Sequence, residues 1–82
     1  MSGLCSRVLV IEDEALVGML LEDMLQDIGC EHVELVPRFA EGMQAAENGD
    51  FDLAVLDINL AGETSAPVAS RLLADGIPFV TV

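Results

Sequence analysis

The stretch that decides the fold is Phe51-Asp-Leu-Ala-Val-Leu-Asp-Ile-Asn-Leu-Ala-Gly-Glu-Thr-Ser65. Four apolar residues, Leu53 to Leu56, run without alternation and stop on an acid, Asp57. A polar, glycine-bearing loop follows. A short continuous apolar run bounded by turn residues reads as a strand covered on both faces, as in a parallel sheet. A carboxylate at the end of such a strand stands at the rim of the sheet, where a ligand can reach it.

The same pattern occurs earlier. Arg7-Val-Leu-Val-Ile11 is short, β-branched and continuous, and it ends on Glu12, Asp13 and Glu14. From Glu14 to Gly29 the sequence reads as a helix, with Asp13 as a candidate cap, acids in the first turn and Gly29 just past its end. His32 to Val36 is a second strand, broken by Pro37. Arg38 to Gly49 is a second helix, with Phe39, Met43 and Ala46 on one face and Asn48-Gly49 as its stop. A third helix runs from Ala66 to about Ala74, with Thr64 or Ser65 as cap and Pro67 in the first turn, where proline is tolerated. Gly76 ends it, and Ile77 to Val82 is a fourth strand.

The order is βαβαβαβ with short connections, which implies an α/β fold: a parallel sheet, helices on both faces, right-handed crossovers. Ligands of such sheets bind at the carboxyl ends of the strands, near the switch in strand order. If the first and third strands are neighbours, roughly 4.8 Å apart, then Glu12, Asp13 and Asp57 converge. Converging carboxylates repel unless a cation or a proton relieves them. Hard oxygen ligands suit Mg²⁺. A metal so held can take a phosphoryl oxygen, and the adjoining carboxylate can act as nucleophile to give an aspartyl phosphate. Taken singly, each acid has a plainer role: Asp13 as a helix cap, the others as solvated residues after a strand. Their joint placement is what points to a site.

Composition narrows the partners. The chain of 82 residues is one domain at most, and it carries 15 acids against 3 bases, Arg7, Arg38 and Arg71, for a formal charge of -12. There is no lysine. Such a surface argues against binding nucleic acid or an anionic membrane. No apolar run approaches the roughly 20 residues of a membrane span. Nor does the N-terminus read as a signal peptide, so a cytoplasmic location is expected. Cys5 and Cys30 lack metal-like spacing and are expected as reduced thiols. His32 reads as a strand-edge side chain.

At Val-Leu-Val-Ile-Glu-Asp-Glu (residues 8–14), Asp-Leu-Ala-Val-Leu-Asp-Ile-Asn-Leu (52–60) and Gly-Ile-Pro-Phe-Val (76–80) the sequence resembles the receiver domain of two-component response regulators. The resemblance extends from Arg7 to Val82. It implies a flavodoxin-like doubly wound sheet of strand order 2-1-3-4, with the first and third strands adjacent. It implies that Asp57 is the phosphoacceptor. Glu12 and Asp13 match the acidic pair that holds Mg²⁺, Asp13 directly and Glu12 through water, and Asn59 matches the position whose backbone carbonyl is a further ligand. A histidine kinase or phosphotransfer protein is the implied partner, in a phosphorelay and not as an enzyme.

The sequence departs from the family pattern in places. Ala61 stands where a proline is common in the loop after the phosphoacceptor. Thr81 falls too early to match the family's Ser or Thr at the end of strand four and is not assigned that role. The family's fifth strand, its lysine and its last two helices have no counterpart, so residues 1–82 are expected to be a receiver domain incomplete at its C-terminus. The first helix agrees: Leu16, Val17, Met19, Leu20, Leu21, Met24, Leu25 and Ile28 cover more than the ~100° stripe of a surface helix. With Met19, Leu20 and Met24 uncovered and an uncharged edge at Ile77 to Val82, a homo-oligomer is expected.

Two other readings compete. A Mg²⁺-dependent phosphatase of the haloacid dehalogenase type also uses a strand-end aspartate, but it wants a second Asp two residues on, where this chain has Asn59. A degenerate receiver would act as an interaction module without phosphotransfer, a reading that the missing lysine favours and the acids oppose.

Overall fold

The computed structural model describes residues 5–57 and 64–82, apart from the side chain of Cys5. Seven elements alternate along the chain. They are β1 (Cys5–Ile11), α1 (Ala15–Asp27), β2 (Cys30–Val36), α2 (Phe39–Asn48), β3 (Leu53–Leu56), α3 (Ala66–Ala74) and β4 (Phe79–Thr81). The strands form one parallel sheet in the order β2-β1-β3-β4, the topology the resemblance implied.

β1 lies inside the sheet, and Val8, Leu9, Val10 and Ile11 are all fully buried. That explains the absence of alternation in its sequence: both faces are covered. Val8 and Val10 point toward α1 and pack with Leu25 and Val55. Leu9 and Ile11 point the other way and pack with Phe39, Ala46, Val68 and Leu72 of α2 and α3. One helix on one face and two on the other make the sheet doubly wound.

The helix ends differ in part from expectation. Gly29 (φ 111°) and Gly76 (φ 72°) take the left-handed conformation that suits glycine and close α1 and α3. Asp13 does not cap α1. The helix begins at Ala15 with Glu14 as N-cap, and its first turn holds no acid. Instead the Glu14 N–H donates to a Glu12 carboxylate oxygen at 3.2 Å. At α3, Ser65 is the N-cap residue without a side-chain bond, while the Ala66 N–H donates to Thr64 Oγ1 at 3.3 Å.

The amino end of β1 is pinned. The backbone N–H groups of Ser6 and Arg7 donate to Asp52 Oδ2 at 2.7 and 3.1 Å. The Arg7 guanidinium lies 4.9 Å from the Phe51 ring centroid. Opposite, Cys5 and Cys30 are register partners at the first positions of β1 and β2. Cys30 is buried and disulfide-bonded, which corrects the expectation of a reduced thiol there.

The outer side of α1 is open. Leu16, Met19, Leu20, Met24 and Ile28 are each more than half exposed. α1 packs on β1 and β2, so Val80, on the same sheet face as Val55, is also exposed. No described helix is long and apolar enough to cross a membrane.

Candidate phosphoacceptor and metal site

Parallel pairing sets the site. Ile11 and Leu56 are register partners, so the residues after them, Glu12 and Asp57, leave adjacent strands at one level. The ladder continues one step: the Asp57 N–H donates to the Ile11 carbonyl at 3.0 Å, and the Glu12 N–H to the Val36 carbonyl at 3.0 Å. Both acids are thus held by backbone bonds to β1 and β2, at the edge where the sheet meets its loops.

Glu12, Asp13 and Asp57 each offer a carboxylate oxygen, and these atoms lie within 4.8 Å of one another. Among the described residues no other group of three or more acids, histidines or cysteines gathers in this way. Burial is graded: Glu12 is buried, Asp57 half-buried, Asp13 exposed. Asn59 and Ala61 lie outside the described residues. Thr81 is the register partner of Leu56, one residue short of the level of Asp57, and is exposed. This agrees with leaving it out of the site.

The electrostatics follow from the crowding. Glu12 has its carboxyl pushed up from 4.5 to about 7, first by burial. The hydrogen bond from the Glu14 backbone opposes this, while Asp57, by hydrogen bond and by charge, and Asp13 add to it. Three oxygen donors, one of them buried and resisting ionisation beside two other acids, fit a hard divalent cation. A cation there would stabilise the charged form of Glu12 that its surroundings disfavour.

A doubly wound parallel sheet with an acid cluster at the carboxyl ends of its first and third strands defines the class. The profile of the response regulator receiver domain matches residues 8–81, nearly the whole chain, and the chain belongs to that family. Among curated proteins it is 33% identical over 76 residues to the transcriptional regulatory protein PdtaR of Mycobacterium tuberculosis, a match covering 93% of this chain and 37% of that protein. The chain therefore spans little more than a third of that relative. Among solved structures it resembles the BeF3-activated conformation of SdrG from Pseudomonas melonis, at 43% identity and a TM-score of 0.79, over 99% of this chain and 69% of that one. The response regulator PhyR from Brucella abortus aligns at 28% identity and a TM-score of 0.84, over 98% of this chain and 34% of that one.

Proposed function

We propose that this receiver domain accepts a phosphoryl group on Asp57 from a histidine kinase or a phosphotransfer protein, with Mg²⁺ held by Glu12, Asp13, Asp57 and the backbone carbonyl of Asn59. The observation that carries the reading is the convergence of the three carboxylates at the ends of β1 and β3. An oxygen of the Asp57 carboxylate attacks phosphorus, the P–N bond to the donor's imidazole breaks, and the product is an acyl phosphate. The departing imidazole keeps the electron pair and takes up a proton. Bound Mg²⁺ would supply the positive charge that offsets the phosphoryl oxygens. Glu12 and Asp13 would hold that charge in place, and the backbone bond from Asp57 to Ile11 fixes the root of the nucleophile.

The output is a change in partner binding, not turnover of a substrate. The net charge of -12 supports a protein partner over nucleic acid or an anionic membrane surface. We place the domain in the cytoplasm, where a kinase could reach it. The competing reading is a degenerate receiver that acts as an interaction module without phosphotransfer. Incubation with acetyl phosphate and Mg²⁺, followed by intact-mass measurement, separates the two. The expected result is one phosphoryl group per chain, lost in Asp57→Asn. No labelling of the wild-type chain by acetyl phosphate or by any cognate kinase would leave the interaction module standing. Repeated turnover would point to a phosphatase.

A further inference from the structure

The chain has two cysteines in 82 residues, Cys5 and Cys30. The fold brings them to the same level of two hydrogen-bonded strands, as the first residues of β1 and β2. Adjacent strands lie roughly 4.8 Å apart, within the Cα separation of about 4.4–6.8 Å that a disulfide spans. Cys30 is disulfide-bonded, and no cysteine among the described residues is free. We propose that Cys5 and Cys30 form a reversible thiol–disulfide pair, a redox-sensitive staple that joins the two strands flanking α1.

The placement makes this more than packing. The bridge closes residues 5–30 into a loop that contains α1, Glu12 and Asp13. It lies at the amino ends of the strands, away from the acid cluster at their carboxyl ends, so it acts on the stability of the β1-α1-β2 unit and not on the chemistry of Asp57. Cross-linking removes freedom from the unfolded chain. β2 is an edge strand with Cys30 as its first residue, so fraying of that end gives a thiol reagent access to a sulfur that is otherwise buried.

The exchange partner is a small disulfide such as oxidised glutathione. One cysteine thiolate attacks it, forming a mixed disulfide and expelling one small thiolate. The second cysteine thiolate attacks the protein sulfur of that mixed disulfide and expels the other. The protein loses two protons and two electrons, and the small disulfide becomes two thiols. In a reducing compartment such a bridge is a reporter of redox state and not a permanent brace.

The test uses the 82-residue chain equilibrated in glutathione buffers of graded poise, quenched with a maleimide under denaturing conditions and weighed intact. The expected result is no labelled cysteine at the oxidising end and both labelled at the reducing end, with a monomeric covalent mass throughout. The oxidised form should melt higher by on the order of 10 °C. Cys5→Ser should abolish this redox dependence of melting, and Cys30→Ser serves as the second variant. Two labelled cysteines at the oxidising end, a disulfide between copies, or identical melting of the wild-type chain at both ends would each overturn the proposal. All of these readouts are independent of Asp57, so their failure leaves the phosphoacceptor reading untouched.

Discussion

Glu12 and Asp57 sit 45 residues apart in the chain yet leave β1 and β3 side by side, because Ile11 and Leu56 are register partners. The closeness of their carboxylates is built into the sheet pairing. The site is therefore as well positioned as the centre of the sheet itself, and its acids can be changed one at a time without dismantling the fold.

Removing a ligand charge should weaken Mg²⁺. Asp13 is exposed and makes no cap to α1, so Asp13→Asn should lower Mg²⁺ affinity by roughly tenfold or more with little change in melting. Titration calorimetry checks this, and an unchanged affinity would remove Asp13 from the ligand set.

Without metal, stability should fall as pH rises between 4.5 and about 7. Over that interval folded Glu12, its carboxyl raised by burial, still holds a proton that the unfolded chain has released. The folded state binds more protons, so raising pH favours unfolding. The full loss, reached above pH 7, is on the order of 1–3 kcal/mol once screening by solvent at the rim is allowed for. Asp52 acts lower down and with the opposite sign. Its carboxylate is held below its ordinary value by the backbone N–H of Arg7 and then that of Ser6, and this stability is lost as the pH falls below 3.8. Urea denaturation of Glu12→Gln across pH 4.5 to 8 should give the flatter profile. A wild-type profile as flat as that of the variant would show Glu12 to behave as an ordinary exposed acid.

Two glycines in helices should respond differently to alanine. A Cβ at Gly42 would run into Ile11 Cδ1, whose side chain is fully buried and cannot yield. A Cβ at Gly18 would lie 2.8 Å from Leu35 Cδ2, the end of a side chain that is only half-buried. Gly42→Ala should cost about 1–3 kcal/mol from overpacking. Gly18→Ala should be close to neutral, the contact offset by the better helix propensity of alanine, worth up to about 1 kcal/mol. Denaturant midpoints of the two variants decide it.

The open side of α1 should drive self-association. Met19, Leu20 and Met24 are 57%, 62% and 61% exposed, and covering each stabilises by roughly 1.5–3 kcal/mol. Neighbouring acids Glu22, Asp23 and Asp27 oppose the contact, so added salt should strengthen it. Sedimentation equilibrium at micromolar concentration should show oligomers that Leu20→Glu returns to monomer. A monomeric wild-type chain with cooperative unfolding would show that α1 tolerates this exposure.

Much of the fold was legible because the signals were local. Continuous apolar runs ending on acids marked β1 and β3, and Gly29 and Gly76 marked helix ends. Strand limits were less so. β4 was read as 77–82 but its regular strand covers only Phe79–Thr81, since apolarity runs past regular strand geometry at a sheet's rim. The role of Asp13 was misread because a cap is decided by backbone angles at a turn, where Glu12 supplied the acceptor instead. The raised proton affinity of Glu12 and the bridge at Cys30 had no local signature. Both depend on which residue of a distant strand stands opposite, and that is fixed only when the strand order is known.

The placement of β1 has a consequence for synthesis. β1 is made before both of the strands that flank it, and its four fully buried residues need β3 on one side and β2 on the other. During translation Val8 to Ile11 can pair with β2 early, but the opposite edge stays bare until Leu56 has emerged. An apolar strand edge held open this long invites pairing with other nascent chains. The interval closes at the step that brings Asp57 to Glu12. The acid cluster thus forms with the pairing of β1 and β3, before α3 brings Val68 and Leu72 onto the other side of β1 and completes the core.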